Sequence, residues 1–267
     1  MPRLSAVLIT LDEEQDIGRA LDAVAFADEI VVVDSGSTDR TVQICQARGA
    51  RVLSRPFDGF GPQKRYAVAQ ASNDWVLCVD ADEVVTPELA AAIRALLGAG
   101  EPPLAAYEFS FLTYLMGSPL AHGATARKAH VRLFDRRRAR WTDARVHESV
   151  EADGPVGRLR GQVHHHTARD LSDFIRKLDA YTTEAAQAIH ARGERRSPLA
   201  TALTGAFHFL RLWILRGNFL NGAPGLAFSM LAAWASMVKY LKVDELRAME
   251  PTAPRPALRA RPQGVTP

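Results

Sequence analysis

Apolar runs separated by polar turns organise the N-terminal part of the chain. Leu4 to Leu11 is one such run, ending in Asp12-Glu13-Glu14, and Glu29 to Asp34 is a second. Arg51 to Ser54 is a short third, and Trp75 to Val79 a fourth. Helical spacing lies between them. Ile17, Leu21 and Val24 mark one helix, and Thr41 to Ala47 a second, behind the turn Ser35-Gly36-Ser37-Thr38-Asp39 with its N-cap candidates. A third runs from the loop Gly59-Phe60-Gly61 through Ala71. Strands apolar on both sides and alternating with helices predict an α/β fold with a doubly wound, mostly parallel sheet. Right-handed crossovers then place Asp34 and Asp80 at one carboxyl edge.

The fourth run stops abruptly in Asp80-Ala81-Asp82-Glu83, and Thr86-Pro87 opens a helix over Pro87 to Leu97. Carboxylates two apart in a strand share a side, so Asp80 and Asp82 suit a hard divalent ion that holds diphosphate oxygens. The plainer alternative is an acidic turn with Glu83 in solvent. Neither a Gly-x-x-x-x-Gly-Lys-Ser/Thr loop nor a Gly-x-Gly-x-x-Gly follows the first strand. The first two strands end in acids instead, which repel a bare diphosphate but accept bonds from ribose hydroxyls or a uracil imide. That favours a sugar nucleotide held through base, ribose and metal-bridged phosphates over a hydride-transfer cofactor.

Ala105 to Tyr114 alternates aromatic and polar positions as a strand does, Arg132 to Asp135 is a short strand, and Arg138 to Trp141 turns back. Val146-His147-Glu148-Ser149-Val150 and His164-His165-His166-Thr167 close this middle region. His164 and His166 fall on one side of a strand. Asp170 to Ala191 is an amphipathic helix, and Pro198 begins another that Gly217 to Gly222 breaks. Gly222 to Val238 carries no charge, falls short of the roughly 20 residues of a spanning helix, and contains Pro224-Gly225. An interfacial or core-packed helix pair is expected there, with contact to a membrane surface or ordinary core packing as the two readings. The boundaries expected are 1–168 for the sheet domain (donor half 1–100, acceptor half 101–168), 169–245 for a helical appendage and 246–267 for a proline-rich disordered tail.

Composition narrows the partners. The net charge is +3, but residues 127–145 hold eight Arg or Lys against Asp135 and Asp143. Such a patch suits nucleic acid, a membrane surface or a phosphorylated substrate. No nucleic-acid-binding signature surrounds it, so no nucleic-acid partner is expected. Cys45 and Cys78 form neither a disulfide framework nor a metal spacing, and no secretory leader pattern opens the chain; both point to the cytoplasm.

Four segments carry a family resemblance: Thr10-Leu11-Asp12-Glu13-Glu14, Val33-Asp34-Ser35-Gly36-Ser37-Thr38-Asp39, Gly61-Pro62-Gln63-Lys64-Arg65 and Asp80-Ala81-Asp82-Glu83. With them the chain resembles the family 2 inverting glycosyltransferases of the GT-A fold. Arg132-Leu133-Phe134, Val146-His147-Glu148, His166-Thr167 and Arg216-Gly217-Asn218-Phe219 with Gly222 add a likeness to the WaaE/KdtX-like lipopolysaccharide-core β-1,4-glucosyltransferase group. The resemblance implies that Leu11, Glu13 and Asp34 line a uridine pocket and that Lys64 sits beside the nucleotide. It implies that Asp80 and Asp82 meet the ribose and the metal-bound diphosphate, the metal being Mg2+ or Mn2+, with His166 reaching it. Glu148 resembles the catalytic base. The family usually has Asn where Asp12 stands and, commonly, Asn where Arg65 stands.

An inverting transfer needs one general base opposite the leaving diphosphate. Glu148 suits it, flanked by Arg145 and His147, which with Arg132 would meet the acceptor; Asp143 is the rival base, and a simple Glu148–Arg145 pair the structural alternative. The expected reaction moves a hexose, glucose, from a UDP-sugar to a membrane-anchored anionic glycolipid, with the enzyme peripheral on the inner face of the cytoplasmic membrane. Two other readings are a sugar-phosphate nucleotidyltransferase and a non-catalytic nucleotide-sugar-binding, membrane-associated protein. The first wants a glycine-rich basic loop where Asp12-Glu13-Glu14 stands.

Overall fold

The computed structural model describes residues 1–123, 128–143 and 148–249. Four parallel strands form its first half: β1 (Leu4–Thr10), β2 (Glu29–Asp34), β3 (Arg51–Ser54) and β4 (Trp75–Cys78). Three helices intervene, α1 (Ile17–Ala23), α2 (Thr41–Ala47) and α3 (Phe60–Gln70). The apolar runs are buried on both sides, as expected. Ala6, Leu8, Val32 and Leu77 face α1, α2 and a later helix (Pro87–Gly98) through Ile17, Leu21, Cys45, Leu89 and Ile93. Val7, Val31, Val33, Val76 and Cys78 face α3 through Ala67 and Val68. Each fully buried Leu or Val contributes about 1.5–3 kcal/mol.

The second half mixes directions. β5 (Glu83–Val85) and α4 (Pro87–Gly98) precede β6 (Ala106–Leu115) with its short partner β7 (Ser118–Pro119). Then come β8 (Ala129–Asp135), β9 (Ala139–Trp141), β10 (Val150–Ala152) and β11 (Val156–His166). The strand order is β3-β2-β1-β4-β8-β6-β11-β5, while β9 and β10 form a separate ribbon. β8 is antiparallel to both β4 and β6, and β5 is antiparallel to β11. The sheet is thus doubly wound only in its first half. The acidic-turn alternative with Glu83 in solvent does not hold: pairing of β5 with β11 draws Glu83 inside to 1% exposure. Thr86 caps α4 and at the same time bonds the backbone of Gln162 in β11. A Cβ at Gly161, where φ is +91°, would lie 2.5 Å from the Leu89 nitrogen, so only glycine lets α4 begin there.

The helical region comprises α5 (Leu171–Ala191), α6 (Pro198–Leu210) and α7 (Gly222–Met249). A π-helical turn (Arg211–Leu215) and a 3-10 turn (Asn218–Asn221) join the last two. The break expected at Gly217 to Gly222 is present, with positive φ at both glycines. Pro224 lies in the first turn of α7, where its missing N–H costs nothing. The helix continues past Val238 because Lys242 donates to Asp179, Thr182 and Thr183 of α5. It ends at Met249, and the rest of the expected tail lies outside the described residues. Asn221 ties this region to the sheet domain: its Oδ1 accepts from His122 N at 2.9 Å and its Nδ2 donates to His122 O at 3.1 Å.

The start of α7 packs backbone to backbone. A Cβ at Gly225 would lie 2.0 Å from the Asn218 carbonyl oxygen, whereas one at Gly98 meets only the mobile end of Met1 at 3.4 Å. Gly225→Ala is therefore expected to destabilise by about 1–3 kcal/mol, and Gly98→Ala to be neutral or stabilising by up to about 1 kcal/mol. Chemical denaturation of both variants checks the contrast; equal effects would contradict this packing.

Candidate active site

Turn-forming side chains hold the carboxyl edge of the parallel strands in shape. Both Asp34 oxygens serve the loop that follows β2, accepting from Gly36 N, Ser37 N and Ser37 Oγ. Asp12 takes a left-handed φ of 53° and accepts from Thr38 N at 2.7 Å. The Asp12, Glu13 and Glu14 amides donate to Ser37 Oγ, Thr41 Oγ1 and Asp39 Oδ2. The loops after β1 and β2 are thereby laced into one wall, on which Leu11 is 50% exposed.

A buried ionic cluster lies beside it. Lys64, on α3 and 4% exposed, donates to Asp80 at 3.1 Å and to Glu148 at 2.9 Å. Arg132 of β8 lies 3.2 Å from Asp80 and 3.3 Å from Glu83. Glu83 in turn accepts from the Asp80 amide at 2.9 Å. Both cations rest on the Trp141 ring, Lys64 at 4.9 Å and Arg132 at 5.2 Å from its centroid. The Trp141 indole donates to Cys78 Sγ at 3.3 Å, which fixes the platform to β4. Burial raises the carboxyl pKa of Asp80, but the charges of Lys64 and Arg132 outweigh it and hold that pKa below its ordinary value. For Glu83 burial wins, and its pKa is raised.

Asp82 faces a second set of groups. His165 Nε2 lies 3.4 Å and Lys177 Nζ 3.9 Å from its Oδ2. Burial lowers the His165 pKa, yet the bond to Asp82 and the charges of Asp82, Glu83 and Asp80 overcome this and raise it to about 9. Tyr181, one turn beyond Lys177 on α5, is within electrostatic reach of Asp82, Asp80 and Glu148, which together with desolvation raise its pKa. Glu13, on the wall after β1, is raised by burial from 4.5 to about 7.

The structure brings Glu13, Lys64, Asp80, Asp82 and Glu148 to one crevice, but it redirects several expectations. Arg132 turns inward onto Asp80 and Glu83 instead of outward to an acceptor. Arg136 and Arg137 are likewise engaged, by backbone carbonyls at Val68 and Ala71 and by Asp135, so the basic 127–145 run is not one open patch. The imidazole that meets Asp82 is that of His165. The His166 ring stacks on Tyr114 at 4.7 Å, with His164 on the same face, and only its amide reaches the Asp82 backbone. Asp143, the rival base, is an exposed partner of Arg65. Arg145 and His147 lie outside the described residues. Trp141, His165, Lys177 and Tyr181 were missed. Only the alternation of Ala139 and Trp141 about Arg140 hinted at the burial of Trp141, and nothing local marked the two α5 residues.

Among the described residues no three His, Cys, Asp or Glu side chains gather in ligating geometry. The donor set nevertheless fits a hard divalent ion. Glu13, Asp80, Asp82 and Glu148 offer carboxyl oxygens, the donor type such an ion takes. A Mg2+- or Mn2+-type ion needs only one or two carboxylates when phosphate oxygens and water complete its shell. Asp82, with Asp80 behind it, is the carboxylate placed to hold one.

Residues 5–106 match the family model described as glycosyl transferase family 2. An uncharacterised glycosyltransferase of Rickettsia typhi is 29% identical over 257 residues, covering 92% of this chain and 88% of that protein. The lipopolysaccharide core biosynthesis glycosyltransferase LpsC of Rhizobium meliloti is 29% identical over 266 residues, covering 97% and 95%. The solved glucosyl-3-phosphoglycerate synthase of Mycobacterium tuberculosis with Mn2+ and UDP-glucose is 30% identical over 41% of this chain and 44% of that one, with a TM-score of 0.36. The chain spans less than half of that enzyme, an overlap too low to fix ligand positions here. The similarity to family 2 glycosyltransferases thus runs from β1 to the start of β6, and the similarity to LpsC extends through the helical region.

A carboxyl whose pKa is raised on folding stabilises the fold when protonated. The contribution of Glu13 is complete below about 4.5 and lost as pH rises through about 7. Relative to wild type, Glu13→Gln is therefore expected to gain unfolding free energy between about pH 4 and pH 8. Denaturant titrations across that range check this, and a difference that stays flat with pH would contradict it.

Proposed function

We propose that the chain is a metal-dependent inverting glycosyltransferase that moves a hexose, glucose, from a UDP-sugar onto a membrane-anchored anionic glycolipid of the lipopolysaccharide-core kind. One observation carries the reading: the Lys64 ammonium joins Asp80, from the donor edge, to Glu148, which lies 84 residues beyond Lys64 in sequence. A candidate base and the donor carboxylates thus share one crevice. The relation to LpsC over 97% of the chain supports the acceptor class. The segments ending in Glu148, Thr167 and Gly222 support the finer WaaE/KdtX-like assignment.

In this reading residues 1–168 form the transfer domain, with 1–100 holding donor and 101–168 receiving acceptor, and 169–245 turn toward the membrane. Leu11 and Glu13 flank the uridine, and Asp34 shapes the loop that receives it. Asp80 and Asp82 would hold the divalent ion, which when bound offsets the charge developing on the departing diphosphate. Glu148 takes the proton of an acceptor hydroxyl as that oxygen attacks the anomeric carbon. The bond from that carbon to the diphosphate oxygen breaks, and UDP leaves with the electron pair. Lys64 keeps Glu148 turned into the crevice, and Trp141 keeps Lys64 in place.

The outer surface of the helical region suits a membrane. Leu199, Leu203, Phe207, Leu210 and Ile214 recur at helical spacing and are each 50% exposed or more, and Leu215 is 76% exposed. Arg195, Arg196 and Arg211 lie exposed along the same stretch, cations that suit anionic headgroups. Pro198–Leu215 and Asn218–Met249 are apolar and long enough to cross a membrane by length and composition. Lys242 is held by Asp179 of α5 and Arg247 by the Glu194 carbonyl, and in this reading the helices lie on the bilayer with one face in it. The enzyme is then cytoplasmic and peripheral on the inner face of the cytoplasmic membrane.

With UDP-glucose and a lipid-linked core acceptor, Glu148→Gln is expected to lower kcat by about 10²–10⁴-fold while calorimetric UDP affinity in manganese stays unchanged. Asp82→Ala is expected to abolish the manganese enhancement of UDP binding. Wild-type transfer rates in both variants would refute the assignment of roles. Flotation with anionic vesicles tests the surface: Leu203→Ser/Phe207→Ser/Leu215→Ser is expected to lose more than about ten-fold in vesicle affinity, since each buried apolar side chain contributes about 1.5–3 kcal/mol. A wild-type protein that stays off the vesicles would refute it.

A further inference from the structure

We propose that Lys177, on α5 of the helical region, is a donor-site residue that binds the diphosphate of the nucleotide sugar; the inference rests on the glycosyltransferase reading. α5 lies outside the segment that carries the family 2 match, and nothing in its sequence marks it as part of a site. The topology does. In the order β3-β2-β1-β4 the chain reverses direction across the sheet between β1 and β4, and α/β sheets bind ligands in the crevice at such a switch point. The loop after β1 carries Glu13 and the turn after β4 carries Asp82. Lys177 reaches between them, 3.9 Å from Asp82 Oδ2 and close enough to Glu13 to oppose the rise of its pKa.

The cations of the site differ in what they have left to give. Lys64 and Arg132 are buried, with side chains 5% and 11% exposed, and are spent on Asp80, Glu83 and Glu148. The Lys177 side chain is 32% exposed. Its ammonium donates to Thr167 O at 3.0 Å, while Asp82 and Asp173 stand at 3.9 Å, beyond hydrogen-bond length. An ammonium has three donors. Among the described residues one is used, and two are left facing an acid-lined crevice. A diphosphate is the ligand those donors fit, because Glu13 and Asp82 repel it and a cation between them offsets the repulsion. The helical region then completes the donor site as well as meeting the membrane.

Calorimetry on the full chain in manganese, with UDP and with uridine as probes, tests this. Lys177→Met is expected to weaken UDP about ten-fold or more and to leave uridine unchanged, since uridine has no diphosphate. Lys177→Arg is expected to restore most of the affinity. Arg176→Met removes the same charge one residue away, from a side chain 71% exposed, and is expected to change neither probe. Unchanged UDP affinity in Lys177→Met would overturn the proposal. So would a parallel loss of uridine, or an equal loss in Arg176→Met. A wild-type chain that binds neither probe would instead overturn the donor reading itself.

Discussion

A buried ammonium shared by two carboxylates is the constraint on which this site depends. Lys64 comes from α3, Asp80 from the end of β4 and Glu148 from the segment before β10, so three parts of the chain meet at one nitrogen. Taking such charges out of water costs several kcal/mol each, and the arrangement holds only while every partner is present. Arg132 and Trp141 complete it: the guanidinium offsets Asp80 and a third carboxylate, Glu83, and the indole ring supports both cations without adding charge. Each of these groups would be a liability alone. Together they fix the distance between donor edge and candidate base.

The helical region is joined to the sheet domain at two places. Asn221 binds the backbone at His122 through a reciprocal pair of hydrogen bonds, and Lys177 enters the crevice beside Asp82. Among the described residues the apolar side chains of Leu199, Leu203, Phe207, Leu210, Ile214 and Leu215 in this region stay exposed. A unit anchored at the site and apolar on its far side suits an enzyme whose acceptor stays in a bilayer. In the proposed reaction the acceptor hydroxyl would reach Glu148 while its lipid remains in the membrane.

The parallel half of the fold was legible because both faces of its strands are covered, which writes unbroken apolar runs into β1, β2 and β4. The other half was not. β11 carries Arg158, Arg160 and three histidines, so no apolar pattern announces its pairing with β6, and β5 is only three residues long. The burial of Glu83 therefore left no mark in the sequence. The donor acids were legible as strand-end carboxylates, and Glu148 through family likeness. Arg132 misled because a run of basic residues resembles an open patch, whereas burial of one member depends on carboxylates far away in sequence. His165 and Lys177 depend on strand register and helix rotation, and neither leaves a local mark.

The central claim is that Lys64 and Glu148 hold each other in place. A double-mutant cycle on unfolding free energy, with Lys64→Met, Glu148→Gln and the pair, measures it directly. The structure predicts a coupling of about 1 kcal/mol or more. Additivity within about 0.3–0.5 kcal/mol would contradict it and separate the candidate base from the donor edge.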